Sequence, residues 1–599
     1  MIEICLDPCR AGSSLLSRVR GVAVTVITAS MLLAARASVA GQGQAPSRWP
    51  APASVLDYEI PRLIEAADVP GFSGALVLGG EVAWIGAFGV ADTDSGTPAT
   101  PETIFQAASL TKQLTAYTAL RLADRGVIDL DRPLAEYLPY ERLAHEDRYG
   151  RITGSMALSH STGLPNWGGD RLTLDFDPGA GFQYSGEGYV YLQKALEALT
   201  GKGLDELVRE EILDPLGLED SWMAWRASFE GRTAARHDEW GESGGVSTGV
   251  EVNAAWSLLT TARDYARFIV HLLDGGGLAP ATMARALEPR VQVASNPALD
   301  TTGRLYWGLG WGIQTGSGGR AIWQWGHNDG FRGYLIAYPE RKGAFIYFTN
   351  GDNGLSIAPR LLELVGESAG WPADEHWALD WLDYERYDDP MREAARDVVE
   401  GFRAGGIDAG LARYDAARTA PGIDPELLAA RTVNALGSRG IAEGQVAILE
   451  RNVELHPGSV EAWIALAEIL IGAGRYADAI AGFESASRLD PGNGRASRGR
   501  AWVEPLLAAV DDRPAIPTDV LERYVGDYGP RHVTLEDGVL YYRRDDNPRT
   551  RLRPLSKDTF QPESSGTFRI RFMADGPGAA SRIVGLYLDG NRDESTRDP

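Results

Sequence analysis

The chain of 599 residues contains only two cysteines, Cys5 and Cys9, both near its start. The remainder of the sequence therefore has no residue that could form a disulfide, a thiolate metal site or a cysteine nucleophile. Its eight histidines show neither the His-Glu-x-x-His pattern nor another paired spacing typical of zinc sites. No glycine-rich phosphate loop is present either, so the sequence predicts no metal and no cofactor.

Lysine is almost as scarce, because five lysines stand against 53 arginines and the formal net charge is −24. A protein that binds phosphate backbones needs clustered basic residues, and the absence of such a stripe argues against nucleic acid as a partner. A hydrophobic fraction of 44% and a charged fraction of 23% are those of an ordinary soluble globular protein. A chain of this length should hold about two to four domains.

An apolar run over residues 21–35 follows Arg18 and Arg20, and small residues come after it. This pattern is typical of a secretory signal peptide, here over residues 1–40, and the run is shorter than the roughly 20 residues that a membrane span needs. We therefore expect a secreted or periplasmic protein with a polar linker at 41–56. Membrane contact would arise only through an uncleaved signal.

One of the five lysines, Lys112, follows Ser109 by three residues in a segment with apolar residues at helical spacing. Residues three apart lie on one face of a helix, so the two side chains should be neighbours. A serine hydroxyl is a weak nucleophile unless an adjacent group takes its proton, which a desolvated lysine can do and an arginine cannot. By itself the pair is more typical of a capping serine and a solvated lysine, and only further motifs can overturn that interpretation.

Strand patterns flank this helix at both ends of a segment from 57 to 371. Residues 71–89 have the pattern of two buried strands about a Gly79-Gly80 turn, and four more strand patterns lie between 307 and 349. The residues from about 130 to 300 are mainly helical in pattern. We therefore predict an α/β domain over 57–371, with a mixed sheet flanked by helices and a helical subdomain.

Two further regions follow this domain. Residues 389–510 are mainly helical, and Leu455-His-Pro457 recurs as Leu489-Asp-Pro491, an offset of 34 residues that resembles tetratricopeptide repeats. Fewer than three good copies cannot form an independent solenoid, so we expect intramolecular packing against a neighbouring domain or binding to a protein partner. Residues 519–596 show strand patterns about an Asp537-Gly538 turn, which predict a small β-barrel or sandwich similar to lipocalin-like domains.

Other motifs follow Ser109 and Lys112 in order. Tyr184 lies in a glycine-rich loop before a helical segment, and the run from His327 to Gly330 ends a strand pattern. Together these segments resemble the serine β-lactamase and penicillin-binding protein family, and within it the branch of class C β-lactamases, D-alanyl-D-alanine carboxypeptidases and esterases. The resemblance covers about residues 57 to 370 and implies a β-lactamase-like fold with serine hydrolase activity.

The resemblance also implies a role for each motif. Ser109 would be the acylated nucleophile, Lys112 its base, and Tyr184 would pass the proton to the leaving group. The backbone N–H groups of Ser109 and Gly330 would form the oxyanion hole. The substrate would be an ester, a short peptide or a D-amino-acid amide. Alternatively, the domain is a catalytically silent scaffold for interactions of the helical repeats.

Two departures from the family pattern bear on the substrate. The Tyr-x-Asn motif is here Tyr184-Ser185-Gly186, so the asparagine amide is absent. The Lys-Thr-Gly motif is here His327-Asn328-Asp329, which lacks the fixed cation for a carboxylate, although Arg332 could restore a positive charge. His327, Asn328, Asp329 and Arg332 are the predicted substrate-binding residues. We expect weak β-lactam hydrolysis at most, with acyl transfer intact.

A rival nucleophile is Ser247, because Gly245-Val-Ser247-Thr-Gly249 fits the Gly-x-Ser-x-Gly elbow of α/β-hydrolases. That elbow requires a strand before it and a helix after it, whereas residues 241–253 have a loop pattern. We therefore favour Ser109 over Ser247. His160, in a Ser-His-Ser-Thr-Gly turn, is predicted to be structural.

Overall fold

The computed structural model describes residues 52–598 apart from 170, 250, 294–303, 373–376, 383, 545–546, 575 and 577. Contacts along the chain divide it into two compact units, with the boundary after Asp388. The predicted signal peptide and most of the predicted linker lie outside the described residues, and residues 52–56 of that linker belong to a helix. No helix in the described part of the chain is long and apolar enough to cross a membrane.

A nine-stranded sheet forms the centre of the first unit. The strands of this unit are β1 (Gly71–Leu78), β2 (Glu81–Asp92), β3 (Thr97–Pro98), β4 (Phe105–Gln106), β5 (Leu259–Thr260), β6 (Val291–Gln292), β7 (Leu305–Trp307), β8 (Gly312–Gly316), β9 (Gly319–Asn328), β10 (Phe331–Tyr338) and β11 (Gly343–Thr349). β4 pairs with β5, and the others follow the order 3-2-1-11-10-9-8-7-6, with every described pair antiparallel. Strands from both ends of the domain therefore share one sheet.

Helices cover both faces of this sheet. They are α1 (Pro52–Ala66), α2 (Thr111–Asp124), α3 (Gly154–Leu158), α4 (Gly186–Thr200), α5 (Leu204–Val208), α6 (Asp214–Leu216), α7 (Ala262–Leu273), α8 (Pro280–Ala286), α9 (Ala358–Ala369) and α10 (Trp377–Leu382). Because both faces are covered, β1 and β11 are apolar and buried along nearly their whole length. The predicted α/β fold with flanking helices is confirmed.

The core of the first unit consists of two apolar layers, one on each side of the sheet. Ile346 of β11 packs with α2 and α7, whereas its neighbours Phe345 and Tyr347 pack with α1 and α9. This division follows from the alternation of side chains along a strand. The sheet thus separates the layer that contains α2 from the layer that contains α1, α9 and α10.

The second unit begins with helices. They are α11 (Pro390–Ala417), α12 (Pro425–Ser438), α13 (Ala442–Leu455), α14 (Val460–Gly472), α15 (Tyr476–Leu489), α16 (Gly494–Asp511) and α17 (Thr518–Leu521). α13 and α15 begin at Ala442 and Tyr476, and α14 and α16 begin at Val460 and Gly494, so each pair is separated by the predicted 34 residues. The helical repeat read from the sequence is confirmed.

An eight-stranded antiparallel sheet completes the second unit. Its strands follow one another in order as β12 (Gly526–Tyr528), β13 (Arg531–Glu536), β14 (Val539–Arg544), β15 (Thr550–Pro554), β16 (Thr559–Pro562), β17 (Phe568–Met573), β18 (Arg582–Tyr587) and β19 (Arg592–Thr596). The N–H of Asp598 donates to the carbonyl of Asp527, so the two edges approach and the sheet is nearly a closed barrel.

The last repeat helix, α16, packs on this sheet. The indole N–H of Trp502 donates to the carbonyl of Gly566 at 2.9 Å, and the guanidinium of Arg569 lies 3.9 Å from the centre of the Trp502 ring. The helical repeats therefore bury one end against a neighbouring domain of the same chain, as expected for so short an array.

Candidate active site

Ser109 lies at the start of α2, in the middle of a single 3-10 turn, Ala108–Leu110. The residue before it, Ala108, has φ of +48°, a left-handed conformation that costs a residue with a Cβ about 1–2 kcal/mol. Such strain persists where the surrounding structure holds a functional group in place. Here Gly326 of β9 lies so close that a Cβ on it would come within 2.6 Å of the Ala107 carbonyl oxygen. The turn is thus held firmly against the sheet.

Lys112 lies in the first turn of α2 and is only 1% exposed. Its Nζ donates to Ser109 Oγ at 3.1 Å and to the carbonyl oxygen of Ala255 at 2.9 Å. No carboxylate in the described ranges forms an ion pair with it, and burial lowers the pKa of its amine to about 7. A large fraction of the amine is therefore neutral near pH 7, and its lone pair can accept the proton of Ser109.

Tyr184 lies beside Lys112, in the loop that leads into α4. Lys112 Nζ is 4.8 Å from the centre of the Tyr184 ring, and Gln324 Nε2 donates to the phenol oxygen at 3.0 Å. Desolvation raises the pKa of Tyr184, and hydrogen bonds with Ser109 and Gln324 oppose this shift only in part. The phenol therefore keeps its proton at pH 7, which favours Lys112 as the base and Tyr184 as a proton donor.

His160 packs against the ring of Tyr184. Its ring is fully buried, with its centre 4.2 Å from that of the Tyr184 ring and 4.9 Å from that of Trp307. Burial and the charge of Lys112 lower the pKa of His160 well below its usual range, and its Nδ1 accepts the N–H of Ser185 at 3.0 Å. A neutral, buried ring that holds the backbone next to Tyr184 fits the predicted structural role.

The three residues at the predicted Lys-Thr-Gly position lie at the end of β9 and just after it, and each has a different environment. His327 is exposed beside the site, and its Nδ1 lies 2.7 Å from the hydroxyl of Tyr384. The Asn328 amide donates to Gln106 Oε1 at 2.7 Å and so ties β9 to β4. Asp329 is exposed and forms an ion pair with Arg236. His327 is therefore the substrate-binding candidate among the three.

His327 does not replace the missing lysine as a cation. Desolvation and the positive charge of Arg332 lower the pKa of its imidazole, so the ring is neutral at pH 7 even though its surface is accessible. A neutral imidazole has one donor and one acceptor nitrogen. His327 can therefore hydrogen-bond a substrate but offers no charge to a carboxylate.

The structure corrects two expectations for the turn after His327. The guanidinium of Arg332 is buried, pairs with Asp352 at 2.7 Å and donates to the carbonyl of Asn328, so it does not face a substrate. The N–H of Gly330 donates to Asp352 Oδ1 at 3.0 Å and is not open to an oxyanion. The physical reason is the same for both, since the largely buried Asp352 needs a cation and N–H donors to offset its desolvation.

Ser247 lies apart from any such arrangement. It is exposed, and no helix occurs between residues 241 and 253 apart from the undescribed residue 250. The strand and helix that a nucleophile elbow requires are absent from the described part of this segment. The structure therefore favours Ser109 as the nucleophile, as the sequence analysis does.

Sequence reasoning missed several residues that build the site. Gln324 is fully buried in β9 between Trp323 and Trp325, and a polar residue between two aromatic ones was the one signal in the sequence that could have revealed it. Asp352, Tyr384 and Trp167 reach the site from other segments, and no spacing rule relates them to Ser109. Their roles follow from contacts through space.

Comparison with known proteins bears on both units. A family model described as Beta-lactamase matches residues 57–369, slightly more than half of the chain. A second one, described as Tetratricopeptide repeat, matches residues 446–503. The first match contains Ser109, Lys112, Tyr184 and His327, and it ends before Tyr384.

Several curated proteins are similar to the first unit. Penicillin-binding protein 4 of Amycolatopsis lactamdurans is 29% identical over 337 residues, which is 50% of this chain and 86% of that protein. The D-aminopeptidase of Gluconobacter oxydans is 29% identical over 31% of this chain and 38% of its own length. Esterase EstB of Burkholderia gladioli is 31% identical over 29% of this chain and 52% of its own length.

Among solved structures, the D-alanine carboxypeptidase AmpC from Burkholderia cenocepacia aligns with 52% of this chain and 98% of its own chain. The TM-score of this alignment is 0.45, and the sequence identity is 19%.

Proposed function

This chain belongs to the beta-lactamase family of serine hydrolases, and we propose that it cleaves esters, amides or D-amino-acid peptides through an acyl-enzyme on Ser109. One observation carries the proposal: Lys112, buried without a carboxylate partner among the described residues, places its Nζ 3.1 Å from Ser109 Oγ. Burying a lysine without a counter-charge costs stability, and a catalytic base is a reason to retain it.

The first step is acylation. Ser109 Oγ attacks the substrate carbonyl carbon while its proton passes to the neutral amine of Lys112. The backbone N–H of Ser109 stabilises the oxyanion that forms. Tyr184 then donates its proton to the leaving oxygen or nitrogen and recovers one from the Lys112 ammonium, so the ester or amide bond breaks without net loss of protons from the site.

The second step is deacylation. A water molecule attacks the acyl carbon of the Ser109 ester, and its proton passes to the neutral amine of Lys112, from which Ser109 Oγ is reprotonated as it departs. The carboxylic acid product leaves, and the amine is neutral again. Both steps use Lys112 as the base, whose Nζ lies 3.1 Å from Ser109 Oγ.

The substrate class follows from the charges at the site. Penicillins and peptides with a free C-terminus present a carboxylate, but Arg332 is paired with Asp352 and His327 is neutral. The names of similar proteins span penicillin-binding protein, D-aminopeptidase and esterase. We therefore propose an uncharged ester or amide as the preferred substrate, with weak β-lactam hydrolysis.

The other parts of the chain extend the proposal. The predicted signal peptide supports a secreted or periplasmic location. The tetratricopeptide repeats support binding of a protein partner in addition to the packing on the β domain.

The alternative is a catalytically silent scaffold, which the loss of Tyr-x-Asn and Lys-Thr-Gly favours. The deciding experiment exposes wild type, Ser109→Ala and the matched control Ser247→Ala to a fluorophosphonate probe and to p-nitrophenyl acetate. We expect wild type and Ser247→Ala to label and turn over, and Ser109→Ala to do neither. Wild type that resembles Ser109→Ala in both assays establishes the scaffold instead.

A further inference from the structure

Gly186 stands where the family pattern has asparagine, and the indole of Trp167 lies directly against it. A Cβ placed on Gly186 would come within 2.5 to 2.8 Å of three carbon atoms of that ring. Residue 186 must therefore lack a side chain for the ring to lie where it does. The indole fills the space into which a side chain at this position would point.

The loop that carries Trp167 is held in place from two directions. The N–H of Gly186 donates to both the carbonyl and the side-chain oxygen of Asn166, at 3.0 and 2.9 Å. The N–H of Gly168 donates to Glu187 Oε1 at 3.0 Å, and Arg142 pairs with the same carboxylate. Because these bonds order the loop in the free protein, a ligand that packs on the indole pays little entropy for ordering it.

Trp167 is nevertheless 48% exposed. It contacts Gly186, which lies two residues after Tyr184 in the chain. The indole therefore has surface available for contact with a ligand. Aromatic faces of this kind pack favourably on other flat apolar groups.

We propose that Trp167 is a substrate-binding residue whose indole packs on an aromatic or flat apolar group of the substrate. This proposal rests on the proposed hydrolase function and narrows its substrate class. The group belongs either to the acyl part or to the leaving part of the ester or amide, and the two cases are separated by the choice of substrates.

The test measures kcat/KM for two pairs of esters. p-Nitrophenyl phenylacetate against p-nitrophenyl acetate varies the acyl part, and benzyl acetate against ethyl acetate varies the leaving part. We expect Trp167→Ala to lower the aromatic-to-aliphatic ratio about tenfold in one pair. Tyr58→Ala, which removes another exposed aromatic ring from α1, is the matched control and should leave both ratios unchanged.

A second variant guards against a simple folding defect. Gly186→Ala should displace the indole and lower the same ratio, but should have no further effect on it in a Trp167→Ala background. Ratios that stay within twofold of wild type in both pairs overturn the role of Trp167. Absence of hydrolysis in the wild type would instead overturn the hydrolase function, so the two failures are distinguishable.

We also infer that Tyr384, which lies beyond the segment matched by the family model, is a positioning residue for His327. The Tyr384 hydroxyl lies 2.7 Å from His327 Nδ1. A phenol O–H is a stronger donor than an imidazole N–H, and an unprotonated ring nitrogen is a stronger acceptor than a phenol oxygen, so Tyr384 directs its proton to Nδ1. A neutral imidazole that accepts at Nδ1 carries its proton on Nε2. His327 therefore presents a fixed N–H donor.

This inference also rests on the proposed function, because the donor would bind a substrate oxygen. Tyr384→Phe keeps the ring and removes the hydroxyl. We expect the nitrogen NMR shifts of His327, assigned with His327→Gln, to change from the Nε2–H form to a mixture of tautomers. KM should rise about three- to tenfold with a smaller change in kcat. Tyr387→Phe, three residues along, is the control.

Unchanged His327 shifts in Tyr384→Phe would overturn the positioning role. The NMR measurement needs no turnover, so it remains decisive even if the hydrolase proposal fails.

Discussion

Lys112 donates from Nζ to Ser109 Oγ across 3.1 Å, and the same nitrogen donates to the carbonyl of Ala255 across 2.9 Å. Both partners are neutral, and no carboxylate among the described residues offsets the charge of the amine. The consequence is an amine whose pKa lies at about 7, one turn from the hydroxyl that it would deprotonate in the proposed mechanism.

The pH dependence of hydrolysis should follow the titration of Lys112. Because burial lowers the pKa of its amine to about 7, kcat/KM should rise as the pH increases through 7 and reach a plateau above about 8. Lys112→Arg introduces a group that stays protonated and should lower kcat/KM by at least about 10³-fold. The measurement is a pH–rate profile with an uncharged ester, and a flat profile between pH 5 and 9 would contradict this assignment.

Lys112→Met should stabilise the protein while it abolishes turnover. The amine titrates near 7 when folded and near 10.4 when unfolded, so below pH 7 both states are protonated and the folded state bears the full cost of a buried charge. We expect the variant to gain about 1–3 kcal/mol in free energy of unfolding at pH 7. This gain should shrink as the pH rises towards 10, which denaturant titrations at several pH values can measure.

Tyr184→Phe should impair protonation of the leaving group more than attack by Ser109 on the substrate. The phenol of Tyr184 is neutral and hydrogen-bonded to Gln324, so its loss should lower kcat by about 10²- to 10³-fold and affect amides more than activated esters. Fluorophosphonate labelling of Ser109 should persist at a reduced rate, since Lys112 remains. A variant that hydrolyses anilides at the wild-type rate would remove Tyr184 from the mechanism.

The segment after His327 shows why part of the site could not be read from the sequence. Helical geometry is enough to predict that Ser109 and Lys112 are neighbours. The strands can be predicted from alternating apolar residues and glycine turns, and the helical repeat from its 34-residue period. The environment of Gly330 depends on Asp352, which lies 22 residues away and captures its N–H. Trp167, Tyr384 and Gln324 likewise reach the site by packing between distant segments, which leaves no periodic signal.

Substitutions of Arg332 and Asp329 together test whether the Arg332 guanidinium is held by Asp352 and does not bind substrate. Arg332→Ala should leave Asp352 unpaired in a largely buried position and destabilise the protein by about 2–3 kcal/mol. Asp329 forms an exposed pair with Arg236, so Asp329→Ala should change stability by less than about 0.5 kcal/mol. Thermal unfolding of the two variants gives the comparison. A higher KM for a carboxylate-bearing substrate in a fully stable Arg332→Ala protein would restore Arg332 to substrate binding.

The scarcity of lysine makes the central claim directly measurable. The chain has five lysines, and Lys194, Lys202 and Lys342 form exposed ion pairs, whereas Lys112 is buried. Lysine labelled with ¹³C at Cε should give few, separable resonances, with Lys112 assigned by Lys112→Arg. We predict that the Lys112 signal titrates near pH 7. A Lys112 signal that does not change between pH 5 and 9 would contradict the assignment of Lys112 as the base for Ser109.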